Sequence, residues 1–178
     1  MNWPEGYTCK ACGECHAGVP FSFAADFPDA YANLSNEDRD ARATIGSDQC
    51  ILDAQWFFLR GMIEIPIMGG DEPFLWGVWA SIREEVFDEI SDSWEEPGRE
   101  AKYGPYKGRL ANLLSIYPET LNLKLKIIVQ PVGVRPLFLL EDNEHVLAVQ
   151  QKSGISKQQA VELASFLLHS EGHPYARS

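Results

Sequence analysis

The distribution of apolar residues along the chain changes character at Cys50. Beyond it, the runs ILDAQWFFLR, MIEIPIM and FLWGVWASI are rich in Ile, Phe and Trp, and they are separated by Gly61 and by the turn-forming sequence GGDEP. Short runs of this composition, bounded by turn residues, are typical of β-strands. We therefore predict consecutive antiparallel strands in this part of the chain.

Helical patterns lie on both sides of these strands. Two short helices are predicted over 27–34 and 36–44, the first from Asp26 followed by Pro28 and Asp29 and the second from Ser35 with Asp38. Residues 83–96 have apolar residues on one side and acidic residues around the rest, which predicts an amphipathic helix. Near the C-terminus, Ser156 and Gln159 have the spacing of a capping box, so we predict a last helix there.

Strand patterns resume in the C-terminal half. LKLKIIVQ (123–130) alternates apolar and polar residues, RPLFLLE (135–141) is a second apolar run, and HVLAV (145–149) is a candidate third strand. The preceding YGPYKG (103–108) has the composition of a loop. Strands in runs with segregated helices, without βαβ alternation, predict an α+β fold with a mainly antiparallel sheet.

The length and composition favour one globular domain. The chain has 178 residues, of which 45% are hydrophobic and 23% charged, which suits a single well-filled core. Residues 1–24 have little apolar periodicity and contain three of the four cysteines, so we expect a loop-rich metal-knuckle segment there. Residues 25–178 are expected to form the α+β body of the same domain.

The chain is strongly acidic. Its formal net charge is -11 and its pI is about 4.7, so nucleic acid and anionic membrane surfaces are repelled. The first residues lack the pattern of an export signal, and no run approaches the ~18 apolar residues of a membrane span. We therefore expect a cytoplasmic protein, in which clustered cysteines bind metal or do redox chemistry rather than form disulfides.

The sequence CKACGECH, from Cys9 to His16, allows several kinds of chemistry. CGECH matches the c-type haem attachment pattern, but that haem is installed after export. An iron–sulfur cluster normally needs four thiolates, and the remaining cysteine, Cys50, is distant in sequence. A redox dithiol is expected at a helix N-terminus beside a βαβ unit, which is not evident here. The non-functional alternative is a set of free thiols that bind no metal.

Zinc fits this sequence best. A CxxC turn at Cys9 and Cys12 presents two sulfurs to one ion, Cys15 or His16 can supply the third ligand, and Cys50 is the natural fourth. Ordering these eight residues costs about 10 kcal/mol of backbone entropy, whereas structural zinc contributes about 10 to 16 kcal/mol. We therefore predict a structural zinc site.

Several strings along the chain carry a family resemblance. They are the CxxCGxxH opening, SDxC (47–50), FLRGMIEIPI, FxWGVW, Tyr117-Pro118, Arg135-Pro136 and the late QxxGI. With these strings the chain resembles the bacterial domain of unknown function 2199 family over nearly its whole length. The resemblance implies Cys9, Cys12, Gly13 and His16 as the family's knuckle, which favours His16 over Cys15. It implies no reaction, because the family is uncharacterised.

A small-molecule site is a second hypothesis. Trp76 and Trp79 flank Gly77 in the aromatic strand from Phe74 to Trp79, and glycine in a strand marks close approach of a ligand or of another backbone. Arg135 is a candidate for binding the carboxylate of a ligand, and His145 is a candidate base. Core packing, surface ion pairing and ordinary structural hydrogen bonds are the competing interpretations. No GxSxG sequence or phosphate-binding loop is present.

The predicted helix over 83–96 has a strongly acidic face. Like charges four residues apart repel, and a tolerated repulsion sometimes marks a docking surface, although it also occurs on solvated faces. The face consists of Glu84, Glu85, Asp88, Glu89 and Asp92. We therefore expect a non-catalytic, zinc-stabilised interaction module that binds a basic protein, for example a toxin that it neutralises. The alternative is an enzyme with a site near the aromatic strand and Arg135.

Overall fold

The computed structural model describes residues 20–168 in full and the backbone of residues 7–8, 15–16, 169 and 175–177. Strands form most of the regular structure. They are β1 (Tyr7–Thr8), β2 (Cys15–His16), β3 (Ser22–Ala25), β4 (Ala43–Ile45), β5 (Gln49–Leu52), β6 (Trp56–Ile65), β7 (Phe74–Ile82), β8 (Tyr106–Leu110), β9 (Lys124–Ile128), β10 (Leu137–Leu140) and β11 (Tyr175–Arg177). The helices are α1 (Asp29–Ala32), α2 (Asn36–Arg42), α3 (Glu84–Asp92), α4 (Arg99–Lys102), α5 (Val146–Ser153) and α6 (Lys157–His169).

Five strands close into a barrel. They are hydrogen-bonded in the order β7, β8, β9, β10 and β6, and β6 pairs again with β7. The β6–β7 pair is the longest, with nine antiparallel residue pairs. On one side β3 and β11 extend the sheet, and on the other β5 and β4 do so. Closure satisfies the backbone hydrogen bonds of the barrel strands, which would otherwise end in open edges.

The α+β class is confirmed, but the prediction of a mainly antiparallel sheet is wrong. The sheet is mixed, because β10 pairs with β6 and β3 pairs with β7 in parallel. The β10–β6 pair is also the one that closes the barrel. Parallel neighbours need long crossover connections, and a pattern that is local in sequence does not reveal them.

Large apolar side chains fill the barrel. Ile63 and Trp76 face each other across β6 and β7, and both are fully buried. The ring of Phe138, from β10, occupies the space beside Gly61, where an added Cβ would lie 2.4 Å from the ring. Gly61 is therefore required for the close packing of β10 against β6. The helix α6 adds Ala160 and Ala164, which have no exposed surface, to the same core.

Most of the predicted elements are present, some of them shorter. The structure has α1 and α2 where helices were predicted over 27–34 and 36–44. The predicted helix over 83–96 is α3, which ends at Asp92. The capping box before α6 is confirmed, because the Gln159 amide donates to Ser156 Oγ over 3.2 Å and the Ser156 amide donates to Gln159 Oε1 over 2.8 Å.

Three local predictions are wrong. Gly61 does not separate two strands, because β6 runs through it from Trp56 to Ile65, and the run ILDAQWFFLR is instead divided by the turn between β5 and β6. HVLAV (145–149) belongs to α5, not to a strand: Leu147 and Ala148 are buried while Val146 and Val149 are exposed. Adjacent buried residues suit a helix, and a five-residue apolar run cannot by itself distinguish the two periods. The predicted loop YGPYKG contains the first residues of β8, because Tyr106 pairs with Ile127. In the described part of the chain, no helix is long and apolar enough to cross a membrane.

Candidate functional site

The predicted metal knuckle lies only partly within the described residues. Cys9 and Cys12 lie outside them, and of Cys15 and His16 only the backbone is described. That backbone forms an antiparallel pair in which Thr8 is opposite Cys15 and Tyr7 is opposite His16. Paired residues of this kind have Cα atoms about 4.5 to 5.5 Å apart. The strand that leads to Cys9 therefore lies next to the two candidates for the third ligand.

Cys50, the predicted fourth ligand, lies in β5 and has no exposed surface. Its thiol is free, and it belongs to the main apolar core together with Leu52 and Phe58. Burial raises the pKa of the thiol to about 11, so without a metal the thiol is protonated and a poor nucleophile. Within the described residues, no three His, Cys, Asp or Glu side chains are grouped to hold a metal. The zinc site stays a prediction.

The two tryptophans predicted for a small-molecule site lie on opposite faces of β7. Trp76 faces the barrel interior opposite Ile63, and Trp79 lies on the other face of β7 opposite Arg60. Both tryptophans are fully buried. Gly77, between them, marks the approach of another backbone, since a Cβ there would lie 2.8 Å from the Cβ of Ala24 in β3. The aromatic strand therefore presents no accessible surface at these tryptophans.

A polar clamp formed by Asn112 ties neighbouring chain segments to β7 at Trp79. The Asn112 side chain is fully buried; its Oδ1 accepts from the Trp79 amide at 2.7 Å and its Nδ2 donates to the Phe27 carbonyl at 2.9 Å. The same Nδ2 donates to Asp29 Oδ1 at 2.9 Å. The indole of Trp79 donates to the carbonyl of Ala25 at 3.3 Å. These bonds hold the chain that follows β3 next to Trp79.

His145, the candidate base, caps a helix instead. Its Nδ1 accepts from the Leu147 amide at 3.1 Å, at the first turn of α5. That bond leaves the ring proton on Nε2 when the ring is neutral. Nε2 is buried and has no hydrogen-bond partner in the described part of the chain. The structure thus gives His145 a structural role at the start of α5.

Arg135 lies in a cluster of charged side chains around Asp48. Arg135 Nε donates to Asp48 Oδ1 at 2.6 Å, and Ser47 Oγ donates to Asp48 Oδ2 at 2.6 Å. Burial acts to raise the pKa of Asp48, but the hydrogen bonds from Ser47 and Arg135 outweigh it and lower that pKa. Asp48 is therefore ionised at neutral pH. Arg60 extends the cluster, with its amide donating to the Asp48 carbonyl at 2.8 Å.

A cavity of about 340 Å³ opens beside this cluster. It lies where the turn after α3 meets the loop between β9 and β10, and its lining includes Trp94, Arg99, Val134 and Arg135. Arg99 is only 2% exposed, and its guanidinium lies 4.9 Å from the ring of Trp94. A buried arginine inside a cavity is a common feature of ligand sites, although it also occurs as a structural anchor.

The acidic face of α3 is exposed as predicted. Val86, Phe87 and Ile90 form the buried side of the helix. The five acidic residues of the other side are exposed: Glu84, Glu85, Asp88, Glu89 and Asp92. Within the described residues none of the five is within ion-pair distance of a lysine or arginine, and Glu89 accepts a hydrogen bond from Tyr106 Oη at 2.7 Å.

An exposed tryptophan lies at the same end of the sheet. Trp56 begins β6 and is 58% exposed. The turn before it places Asp53 and Ala54 at positive φ of 55° and 51°, a region that side chains other than glycine disfavour. The hairpin packs against α3 through the rings of Phe57 and Phe87, 5.2 Å apart. Strain of this kind is frequent at binding sites.

Comparison with protein families decides the identity of the chain. Residues 8–155 match the model of a family described as an uncharacterized protein conserved in bacteria (DUF2199). The chain belongs to this family. No curated protein and no solved structure matches the chain. Membership in DUF2199 therefore confirms the resemblance in the sequence, and it assigns no activity.

Three features of this DUF2199 chain were not predicted from its sequence. They are the Asn112 clamp, the buried Arg99 and the exposed Trp56. No local pattern distinguishes a clamping asparagine from a loop asparagine, because its partners are Trp79 and Phe27. The exposure of Trp56 could have been predicted, because Trp56 comes directly after the turn that follows β5. Residues at hairpin tips are commonly exposed.

Proposed function

We propose that this chain is a non-catalytic interaction module of the bacterial cytoplasm that binds a cationic protein partner. Its binding surface, called here the acidic end, consists of Trp56 and the five acidic residues of α3. The observation that carries the proposal is a set of exposed carboxylates without cationic partners in the described part of the chain, beside a tryptophan that is 58% exposed.

Charge and chemistry favour a basic partner. Facing carboxylates attract lysine and arginine and accelerate association, and they repel other acidic proteins. A partly exposed tryptophan next to them adds apolar area that becomes buried on binding, and tryptophan is frequent at the centres of interfaces. A basic toxin, such as a nuclease, is one partner with this chemistry. The net charge of -11 disfavours nucleic acid itself as the partner.

The test uses charge reversal on α3. Glu84→Lys, Asp88→Lys and Asp92→Lys together replace three exposed carboxylates, and we expect binding to a short poly-lysine peptide to weaken about 10-fold or more. The matched control is Glu64→Lys, Asp71→Lys and Glu72→Lys, which changes the net charge equally at the opposite end of the β6–β7 pair. Equal loss in both triple variants would show that only net charge matters and would contradict the acidic end.

The natural partner is then sought with the same variants. Pull-downs from host extract at low salt are expected to recover a basic protein with the wild type and the control triple variant, but not with the α3 triple variant. The recovered protein is expected to dissociate as the salt concentration rises, because exposed charge pairs are screened. Recovery of no basic protein at low salt would contradict the proposal.

We also propose that a structural zinc ion is bound by Cys9, Cys12, His16 and Cys50, with Cys15 as the alternative to His16. The β1–β2 pairing supports this, since it places the residues before Cys9 beside Cys15 and His16. Thiolates and imidazole are the ligands that zinc prefers, and zinc at such a site would supply folding energy.

Metal content is the right measurement for this site. Cys50 is part of the apolar core, so Cys50→Ser is expected to destabilise the protein with or without a metal. We expect one zinc per chain in the wild type, and loss of zinc in Cys9→Ser and His16→Ala. Cys15→Ser is the matched control and is expected to retain it. Retention of zinc in His16→Ala with loss in Cys15→Ser would assign Cys15 instead, and a wild type without zinc would refute the site.

A further inference from the structure

The cavity beside Asp48 has an unusual concentration of cations for so acidic a chain. Arg99 and Arg135 line it, and Arg60 lies behind Asp48. Asp48 and Glu95 also line it, so three arginines are set against two carboxylates, in a chain that has 15 lysines and arginines against 26 acidic residues. The cavity volume of about 340 Å³ is within the range of small-molecule sites.

Arg135 has unused hydrogen-bond donors. Its Nε is bonded to Asp48, but within the described residues its two Nη atoms have no protein partner. Its side chain is 36% exposed, so these donors are accessible from the cavity. A guanidinium presents its Nη donors as a planar fork, which fits the two oxygens of a carboxylate.

Arg99 contributes a buried charge that lacks a counter-ion. Its guanidinium donates to the carbonyls of Gln130 and Trp94 at 2.8 Å and of Val134 at 3.2 Å. No carboxylate lies within ion-pair distance of it in the described part of the chain. Carbonyls satisfy the donors but leave the positive charge uncompensated, which is costly in a low dielectric. An anion in the cavity would compensate that charge.

Arg60 adds to the positive potential. Its pKa is lowered, first by burial and then by the positive charge of Arg135. Its Nε is buried and has no hydrogen-bond partner within the described residues. Two guanidiniums that repel each other next to a cavity are stabilised when an anion binds between or beside them.

The lining also contains Asp48, Glu95 and Gly133, and one part of it is apolar. Trp94, Val132 and Val134 form a wall of the cavity, and the two valines are 38% and 51% exposed. Arg99 holds the loop that carries the valines through the carbonyls of Gln130 and Val134, so the wall is formed before a ligand binds. A preformed apolar wall opposite a charged group selects a ligand with both an anionic end and an apolar body.

We propose that this cavity binds a small organic carboxylate, whose oxygens accept hydrogen bonds from the Nη atoms of Arg135 and whose apolar body packs against Trp94, Val132 and Val134. This site is separate from the acidic end and does not depend on the proposed partner. Inorganic phosphate shares the negative charge of such a ligand but not its apolar body, so the two can be distinguished.

The test is a ¹H–¹⁵N NMR titration of the full chain with benzoate, benzamide and inorganic phosphate at constant ionic strength. Benzoate is expected to produce saturable shifts at the indole N–H of Trp94 and at the amides of Gly133, Val134 and Arg135. Benzamide has the same shape without the charge, and it is expected to bind about 10-fold more weakly or worse. Phosphate is expected to bind more weakly than benzoate.

Two variants and a control localise the binding. Arg135→Gln is expected to weaken benzoate about 10-fold, since it removes the donor fork. Val134→Glu, at a position 51% exposed, places a negative charge at the wall without disturbing the core, and it is expected to weaken benzoate similarly. Arg109→Gln is the matched control, because Arg109 is exposed on β8 outside the cavity lining, and it is expected to bind as the wild type does.

Three results would overturn the proposal. The first is the absence of saturable shifts with benzoate, and the second is equal affinity for benzamide and benzoate. The third is unchanged benzoate binding in both Arg135→Gln and Val134→Glu. Tighter binding of phosphate than of benzoate, with the same shifts, would keep an anion site but would contradict the carboxylate assignment.

Discussion

Trp76 and Trp56 lie on neighbouring strands of one barrel and have opposite environments. Trp76 has no exposed surface and packs among Phe23, Phe74 and Tyr117. Trp56 is 58% exposed at the start of β6. The difference shows that composition does not separate a core tryptophan from a surface one, because what covers each strand decides it. Trp76 has a closed barrel around it, whereas Trp56 follows a strained turn at the tip of a hairpin.

The largest expected effect is on the buried side of this comparison. Trp76→Ala removes an indole from the barrel interior, and it is expected to lower the free energy of unfolding by about 3–5 kcal/mol. Urea denaturation followed by far-UV circular dichroism measures the change. A loss of less than about 1 kcal/mol would mean that the barrel interior is not packed as described.

The comparison also separates what the sequence could predict from what it could not. That β6 and β7 are strands could be predicted, because their Ile, Phe and Trp content and the turn residues near them are local features of the sequence. The burial of both Trp76 and Trp79 could not be predicted from the sequence. The two residues lie on opposite faces of β7, and a strand with one face on the core buries only every second residue. Trp76 lies inside the barrel, whereas on the outer face the Trp79 indole donates to the Ala25 carbonyl and its ring lies 5.8 Å from the Arg60 guanidinium.

Closure of the barrel could not be predicted from the sequence either. It depends on β10 pairing in parallel with β6, through Leu137 opposite Met62 and the bond from the Met62 amide to the Pro136 carbonyl. These residues are far apart in sequence, and apolar runs alone do not specify their partners. The acidic face of α3 could be predicted from helical spacing. The cavity at Arg99 and Arg135 could not, because it forms where loops that are distant in sequence come together.

The second prediction tests the clamp formed by Asn112. Asn112→Ala leaves the buried Trp79 amide without its partner and removes the donor to the Phe27 carbonyl, which is expected to cost about 2–4 kcal/mol of unfolding free energy. Urea denaturation measures it. The control is Asn33→Ala, because Asn33 is exposed at the end of α1, and little change is expected there. Equal small effects in both variants would show that the clamp does not contribute to stability.

The third prediction concerns the cluster of charged side chains around Asp48. The pKa of Asp48 is lowered below its usual value of 3.8 in the folded protein. A lowered folded pKa means that the carboxylate stabilises the fold above the unfolded pKa, and that this contribution is lost as the pH falls through the folded pKa. Asp48→Asn is therefore expected to cost about 1 kcal/mol near neutral pH and progressively less in acid.

Unfolding free energies of the wild type and Asp48→Asn, measured in urea from neutral pH to about pH 2, give the difference at each pH. Asp71→Asn is the control, since Asp71 is exposed and has no ion pair within the described residues. A difference for Asp48→Asn that stays constant over the whole pH range would show that its ionisation does not contribute to stability.

The smallest expected effect on stability is at Trp56, on the exposed side of the comparison. Trp56→Ala is expected to change the free energy of unfolding by about 0.5 kcal/mol or less, since more than half of the side chain is already in water.

The same substitution is expected to weaken binding strongly, because truncation of a tryptophan at the centre of an interface commonly costs about 2 kcal/mol or more. Affinity for the basic protein recovered from host extract, measured by calorimetry, is therefore expected to fall about 30-fold at unchanged stability. Loss of stability comparable to that of Trp76→Ala would place Trp56 in the core, and unchanged affinity would remove it from the acidic end.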